Sequence, residues 1–343
     1  MLESTLRHEV LYHWAAVGAY SAASICFVWG AASGGEKSLS RGLVPAFLGL
    51  FPHGAAILLR WAEAGHGPYI SRIEVLSSNA WVAMAMFLAA SAWRPRLRAA
   101  GFVVAPAALL MTAWGLMTDP SVRTLPPSLR SPWLVFHILF AKLAAGGVLL
   151  AVGAAALYLL KESRPERPLC ARLPSLGELD EHSRRFAFFG FVFWSVMIAA
   201  GAIWANESWG RYWAWDPVEV WSLATWLALG AYLHLRRFRS LEGRRAAWAL
   251  GACFLFSIGT IFFVPFLAGC EKAETPAVSG SLGRPAAASP NEEYVWLSAN
   301  ASLPLFTQHD HPALRLAGRE LGVKVSIAGP SSVDIPGLVA AIE

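Results

Sequence analysis

Six tryptophans lie within 23 residues of this chain, between Trp204 and Trp226. Such rings can anchor a chain at the membrane–water interface, where tryptophan is enriched, or they can form one wall of a site for a large, flat, apolar ligand. An interfacial belt does not explain a dense loop in which Arg211, Asp216 and Glu219 stand among the rings. We therefore predict a ligand-binding surface here, with the plain belt as the alternative.

Four of the nine histidines lie in or beside apolar segments: His53, His66, His137 and His234. Imidazole is a common ligand of haem iron, and an ionisable residue inside a span is a functional candidate. His137 is expected near the outer end of its span. His234 follows Pro217 by 17 residues, or about 25 Å of helix, and is expected at the inner end. If both bind iron they therefore form separate sites; a hydrogen-bonded or interfacial histidine is the alternative for each.

Composition places these residues in a membrane protein. The 343 residues are 56% apolar and 15% charged, and the mean hydropathy is +0.46. This is typical of an all-α polytopic membrane protein, and the net charge of +5 reflects basic loops, not nucleic-acid binding. About eight apolar segments approach spanning length: 11–30, 43–59, 76–93, 101–117, 133–160, 186–204, 218–235 and 246–267.

The basic residues predict an orientation. One set of loops carries 16 lysines and arginines and the opposite set carries six. Because loops rich in Lys and Arg stay on the cytoplasmic side, the first set is predicted to be cytoplasmic. Both termini and the tryptophan loop are then extracytoplasmic, and the chain is a multi-pass protein of the cytoplasmic (inner) membrane.

The composition changes near residue 270. Residues 1–267 are predicted to form the membrane domain, and 268–290, rich in Ala, Pro, Ser and Gly, a flexible linker. Residues 291–343 predict a short extracytoplasmic α/β-like fragment that weakly resembles the start of a sugar-type periplasmic binding lipoprotein; a disordered tail is the alternative. The expected elements are a strand at 294–300, a helix at 311–321, a strand at 323–328 and a helix from 335.

The tryptophan segment, 204–226, resembles the WWD domain of haem-handling proteins. The chain as a whole resembles the CcsA-type (ResC-like) subunit of the system II cytochrome c synthase. The likeness covers roughly residues 40–250. Outside the loop it is carried by Arg60-Trp61, Gly65-His66-Gly67-Pro68, Glu74, Trp81, Leu129–His137, Leu173–Leu176, Leu179-Asp180 and Ala231–His234, while Ser71-Arg72-Ile73 departs from the family pattern.

This resemblance implies a route for haem b. Haem enters from the cytoplasmic side and is held at an inner site by a histidine such as His234, together with a histidine from a CcsB-type partner. It then rests on the outer WWD surface between two outer histidines, of which His137 is one. There the thiols of an apocytochrome c Cys-x-x-Cys-His motif add to its vinyl groups. The chain would thus be part of a haem lyase complex.

The resemblance also implies roles within the loop. The rings of Trp209, Trp213, Trp215 and Trp221 would flank the porphyrin. Arg211 is expected to pair with a haem propionate, because guanidinium binds carboxylates well. Asp216 would either contact haem or cap the helix that begins at Pro217.

One departure concerns the second outer histidine, which in this family closely follows the last span. Here residues 264–270 contain no histidine. We therefore expect an outer iron site that is incomplete within this chain, unless His309 or His311 of the tail folds back. Two other functions stay open: a system I-like (CcmC/CcmF-like) haem handler, and a non-enzymatic membrane anchor for a solute-binding fragment.

Overall fold

The chain is described by a computed structural model over residues 2–33, 35–122, 125, 129–263, 293–297, 311–321 and 323–328. Long helices account for most of these residues. The membrane-like part contains α1 (Leu2–Ser33), α2 (Glu36–Ala64), α3 (Arg72–Trp93), a 3-10 helix (Pro95–Ala100), α4 (Gly101–Leu116), α5 (Pro132–Ser163), α6 (Leu176–Trp209), α7 (Pro217–Phe238), α8 (Gly243–Ile258) and a π-helical turn (Gly259–Phe263).

Among the described residues, six helical segments are long and apolar enough to cross a membrane, which confirms an all-α polytopic membrane protein. They are Arg7–Ser33, Glu36–Ala64, Arg72–Trp93, Pro95–Leu116, Pro132–Ser163 and Leu176–Trp209. The seventh and eighth predicted spans are also helical, as α7 and α8, but are not among these six. The α7 helix carries tryptophans, a tyrosine and a histidine that lower its hydropathy, and α8 has only 16 residues.

The chain divides into two compact units. The first consists of Met1–Leu125, Val135–Ala199 and Asp216–Pro265, and the second of Pro126–Leu134, Ala200–Trp215 and Phe266–Glu343. The candidate residues His137, Asp216, Trp221 and His234 belong to the first unit. Trp209, Arg211, Trp213 and Trp215 belong to the second. The predicted domain boundaries at residues 267 and 290 stay predictions.

Close helix packing builds the first unit. The α1 helix packs against α2 and α4, α3 packs against the same two helices, and α7 packs against α8. Glycines let α5 approach α6, because a Cβ atom at Gly190 would lie 2.8 Å from Cγ2 of Val148 and one at Gly147 would lie 2.8 Å from Phe189. Small residues commonly permit such approach between membrane helices.

The described tail residues form a parallel β–α–β arrangement in the second unit. The strands β1 (Glu293–Leu297) and β2 (Lys324–Ala328) pair in parallel, and α9 (His311–Leu321) lies between them in the chain. The predicted strand–helix–strand order is confirmed. The predicted helix from residue 335 and the linker at 268–290 lie outside the described residues.

Candidate functional site

The tryptophan loop occupies residues 210–216, between the end of α6 at Trp209 and the start of α7 at Pro217. Gly210 ends α6 in a left-handed conformation, φ +71°, and its N–H donates to the Asn206 carbonyl at 2.9 Å. This is a common glycine cap for a helix end. Trp215 also has a positive φ of 60°, which is rare for a bulky residue and is seen most often at functional sites.

The indoles of this loop and of the last turns of α6 form edge-to-face pairs and leave apolar surface uncovered. Trp213 and Trp215 meet at 5.8 Å and 83°, and Trp204 and Trp209 at 4.7 Å. Trp215 is 71% exposed. The indole nitrogen of Trp213 is buried and has no hydrogen-bond acceptor among the described residues, although a buried indole N–H usually finds one. The loop therefore offers exposed ring surface to a ligand.

The polar residues around this loop have separate roles. Ser131 donates through its hydroxyl to the Glu207 carboxylate at 2.7 Å, which links the segment before α5 to the last turn of α6. Arg211 is exposed and makes no ion pair among the described residues. Its guanidinium is therefore available to an anionic partner, as a propionate-binding role requires.

Asp216 caps α7. Its side chain accepts a hydrogen bond from the Glu219 backbone N–H at 2.9 Å, and Pro217 occupies the first helical position. Both features are standard at helix starts. The structure thus supports the capping role for Asp216, and its contact with haem stays a prediction.

The tryptophans of α6 and α7 do not share one role. Trp194 is fully buried and donates to the Ser222 carbonyl at 3.1 Å, and Trp226 donates to the Ser195 hydroxyl at 2.8 Å. These two rings hold α6 and α7 together. Trp221 is 42% exposed, and its ring lies 5.8 Å from Phe256 of α8. It therefore keeps surface for a ligand.

His137 is half-buried and has a fixed ring orientation. Its Nδ1 lies 2.8 Å from the backbone carbonyl of Met197 on α6. A carbonyl only accepts, so Nδ1 carries the proton and the neutral ring has its lone pair on Nε2. Metal-binding histidines usually have this arrangement, with one nitrogen donating to a carbonyl.

His234 lies on the exposed side of α7. The buried residues of this helix are Ser222, Thr225, Leu229 and Tyr232. His234 follows Tyr232 by two positions, or about 200° around the helix, and the centre of its ring lies 4.6 Å from that of Phe238. Such an imidazole is accessible to a ligand or to another chain.

His53, by contrast, is buried and has both ring nitrogens in hydrogen-bond contact. Nδ1 lies 3.1 Å from the Tyr20 hydroxyl and Nε2 lies 2.9 Å from the Ser77 hydroxyl. The same Ser77 oxygen lies 2.9 Å from Nε2 of His13. His13 is not among the histidines predicted to be functional, although its position four residues after Glu9 in an apolar helix was a signal. This cluster is structural, because neither nitrogen of His53 is left for a metal.

The segment after α2 is organised by a buried arginine. Arg60 bonds to the carboxylates of Glu9 at 3.1 Å and Glu74 at 3.0 Å, and to the carbonyls of Pro120 and Ser121. Both ion pairs are almost fully buried. Arg60 thus joins α1, α2 and α3 to the chain that follows α4.

The loop between α2 and α3 is also held in place by local contacts. Ser71 and Glu74 form a reciprocal capping box at the start of α3, a pattern that satisfies two backbone donors. Nδ1 of His66 lies 2.8 Å from the Gly67 carbonyl, and its ring lies 5.6 Å from Tyr69. Burial and the nearby Glu74 carboxylate raise the pKa of Tyr69, so its phenol stays protonated at neutral pH.

Comparison with known proteins assigns most of the chain to a family. The sequence profile of the family described as Cytochrome C assembly protein matches residues 59–270. The chain belongs to this family. The match covers more than half of the chain, and includes the loop, His137 and His234.

Individual relatives agree with this assignment. The chain is 34% identical over 210 residues to "Cytochrome c biogenesis protein CcsA" of Chlamydomonas reinhardtii, covering 58% of each protein. It is 33% identical to the protein of that name from Synechococcus sp. (strain RCC307), covering 60% of this chain and 75% of the relative. It is 32% identical to the protein of that name from Gloeobacter violaceus, covering 61% of this chain and 78% of the relative.

A solved structure shares the fold. The chain aligns with "Cytochrome c Heme Lyase CcmF" at a TM-score of 0.60 and 17% identity, over 78% of this chain and 49% of that one. At this identity the likeness concerns the fold alone.

Proposed function

We propose that this chain is the haem-handling subunit of a system II cytochrome c synthase, and that it presents haem b to apocytochrome c for thioether attachment. The observation that carries the proposal is the family match over residues 59–270, since it includes the tryptophan loop and both candidate histidines. The CcsA relatives, named as cytochrome c biogenesis proteins, support the same activity.

Haem is the substrate here, and its two vinyl groups supply the reactive carbons. The described residues fit such a substrate. The Trp213 N–H needs an acceptor, the Trp215 ring is exposed, and the Arg211 guanidinium has no ion-pair partner among the described residues. We assign ring stacking to Trp209, Trp213, Trp215 and Trp221, and propionate binding to Arg211. A haem contact by Asp216 is added to its capping role.

The two histidines are assigned as iron ligands at separate sites. For His137 the support is the Met197 hydrogen bond, which directs the lone pair to Nε2. For His234 the support is its exposed position on α7. An exposed ligand suits an iron shared between chains, so we propose that a CcsB-type membrane subunit provides the second inner ligand.

We further propose that the chain lies in the cytoplasmic (inner) membrane with both termini and the tryptophan loop outside. The support is the distribution of Lys and Arg, 16 against six, because basic loops stay on the cytoplasmic side. In this orientation His234 is at the inner end of α7, and haem passes from the cytoplasm to the outer surface.

The visible absorption spectrum of the purified full chain tests this proposal. Protein produced in haem-replete cells is expected to carry a Soret band. Coexpression with a CcsB-type subunit and an apocytochrome c should give covalent cytochrome that survives denaturation. A chain without a Soret band in such cells would contradict haem handling and favour the membrane-anchor alternative.

A further inference from the structure

A cavity lies away from the tryptophan loop, at the end of the first unit where α3 stops and α6 begins. We call it the Trp93 cavity; its volume is about 530 Å³, within the range of small-molecule sites. It is lined by Trp93, Arg94 and Arg96 on one side and by Glu181, His182 and Arg185 on the other. The predicted orientation places it on the cytoplasmic face.

Its charges are not balanced. Glu181 is held by Arg184 at 2.7 Å and by Arg185 at 2.6 Å, and Glu178 accepts the Ser175 N–H at 2.7 Å. Glu181 is therefore neutralised by arginines, whereas Glu178 keeps its negative charge, on which the charge of Arg96 also acts. Arg94 and Arg96 are exposed and make no ion pair or hydrogen bond to a carboxylate among the described residues. The lining thus carries three arginines, Arg94, Arg96 and Arg185, against two carboxylates, and this net positive charge suits an anionic ligand.

The apolar and metal-ligating groups of the cavity further restrict which class of ligand it could bind. The Trp93 side chain is 77% exposed, and the Arg94 guanidinium lies 5.2 Å from the centre of its ring. The His182 ring stacks on Phe186 at 6.5 Å, and neither of its nitrogens makes a hydrogen bond among the described residues. An interfacial anchor would account for Trp93 alone. It would not require two cations and an imidazole around the same cavity.

We propose that the Trp93 cavity is a loading site at which haem first binds on the cytoplasmic face. The porphyrin lies against Trp93, the two propionates pair with Arg94 and Arg96, and His182 binds the iron. This inference rests on the proposed haem-handling function and adds to it an entry point separate from His234. A phospholipid headgroup would use the same arginines but has no need of an imidazole.

The test uses the purified full chain with His137→Ala and His234→Ala, so that the remaining haem binding reports on the Trp93 cavity. Titration with hemin is followed by absorbance. Adding Arg94→Gln and Arg96→Gln should weaken hemin binding about tenfold or more, because charge-assisted hydrogen bonds to carboxylates are lost. Adding His182→Ala should remove the spectrum of histidine-bound iron. Arg164→Gln with Arg167→Gln, on the same face but outside the cavity, should change affinity less than twofold.

A second probe distinguishes binding through the propionates from binding through the porphyrin ring. Zinc protoporphyrin should bind less well after the Arg94 and Arg96 substitutions, whereas its dimethyl ester should be unaffected by them. Equal hemin affinity and spectra in all the cavity variants would overturn the proposal. So would unchanged hemin binding together with loss of co-purifying anionic phospholipid, which would identify a lipid site.

The outcomes also separate this inference from the proposed function. If the wild-type chain binds haem but the variant lacking His137 and His234 binds none, only the loading site is wrong. If the wild-type chain binds no haem from either source, the proposed function itself fails. Gel filtration and thermal unfolding of each variant show whether it remains folded.

Discussion

The histidines of this chain differ in the hydrogen bonds that each ring nitrogen makes, and these differences bear on the proposed iron ligands. A ligand histidine must keep one lone pair outside its hydrogen bonds. Nδ1 and Nε2 of His53 are both in hydrogen-bond contact, whereas Nδ1 of His137 donates to the Met197 carbonyl, which places the lone pair of its neutral ring on Nε2. His234 is exposed on α7. The hydrogen bonds therefore give His53 a structural role, and His137 and His234 stay the proposed ligands.

The first residue-scale prediction concerns His234. His234→Ala should lower the haem content of the purified chain and abolish cytochrome c maturation, because the inner iron ligand is removed. Its exposed position predicts a change in unfolding free energy within about 0.5 kcal/mol. Haem per protein and covalent cytochrome are the measurements, with Leu235→Ala, also exposed, as the matched control. Unchanged haem occupancy and maturation would remove His234 from the ligand set.

The second concerns Arg60, whose guanidinium neutralises Glu9 and Glu74 in a buried site. Arg60→Leu should destabilise the chain by about 3–5 kcal/mol, because it leaves two buried carboxylates without their cation. Unfolding in mixed micelles of increasing SDS content measures the effect.

The exposed Arg7 provides the comparison for this experiment. Arg7→Gln should change the unfolding free energy by less than about 0.5 kcal/mol. A similar small change for Arg60→Leu would show that the ion pairs do not hold α1, α2 and α3 together.

At the scale of elements, tryptophan has different roles in the tryptophan loop and in the α6 and α7 helices beside it. Trp194 and Trp226 hold α6 against α7 through their indole N–H groups. Trp213 and Trp215 form an edge-to-face pair in the loop with ring surface left open. Burial and hydrogen bonding, not sequence spacing, distinguish these two groups.

This difference gives the element-scale prediction. Trp213→Ala with Trp215→Ala should weaken haem retention, by about 1–3 kcal/mol for each ring, and leave membrane insertion intact. Trp226→Ala should instead lower the stability of the helical unit, because a large packed ring is removed. Haem dissociation to an apo-acceptor protein and protease mapping of membrane topology are the measurements. Intact haem binding with failed insertion of the loop variant would favour an interfacial belt.

The sequence predicts local elements better than distant partners. Apolar runs and turn residues place the helices α1–α8, and Asp216-Pro217 marks the start of α7 because capping is local. The buried network is different, since Arg60 meets Glu9 from 51 residues away and Pro120 from 60. The hydrophobic periodicity of the sequence does not predict contacts between residues so far apart in the chain. For the same reason sequence reasoning overlooked His182, whose importance depends on arginines more than 80 residues earlier.

At the scale of the whole molecule, the main question is whether one chain contains a complete outer iron site. Residues 264–270 contain no histidine where relatives of this type are expected to have one, and the family match ends at residue 270. The tail histidine His311 is a poor substitute. Its ring packs edge-on against Trp296 at 5.4 Å, and its Nε2 is buried. To bind iron it would have to leave this contact. His309 lies outside the described residues.

The whole-molecule prediction follows from this missing ligand. The isolated chain should hold outer haem weakly, because His137 alone supplies one axial ligand where two are normally present. Free imidazole should then increase haem retention or maturation activity, since it fills the open position without the entropy of closing a long loop. The linker of about 20 residues is long enough for a tail histidine to return, so a His309→Ala/His311→Ala variant is the control. A bis-histidine low-spin spectrum that this variant loses, and that added imidazole does not change, would show that the tail completes the site.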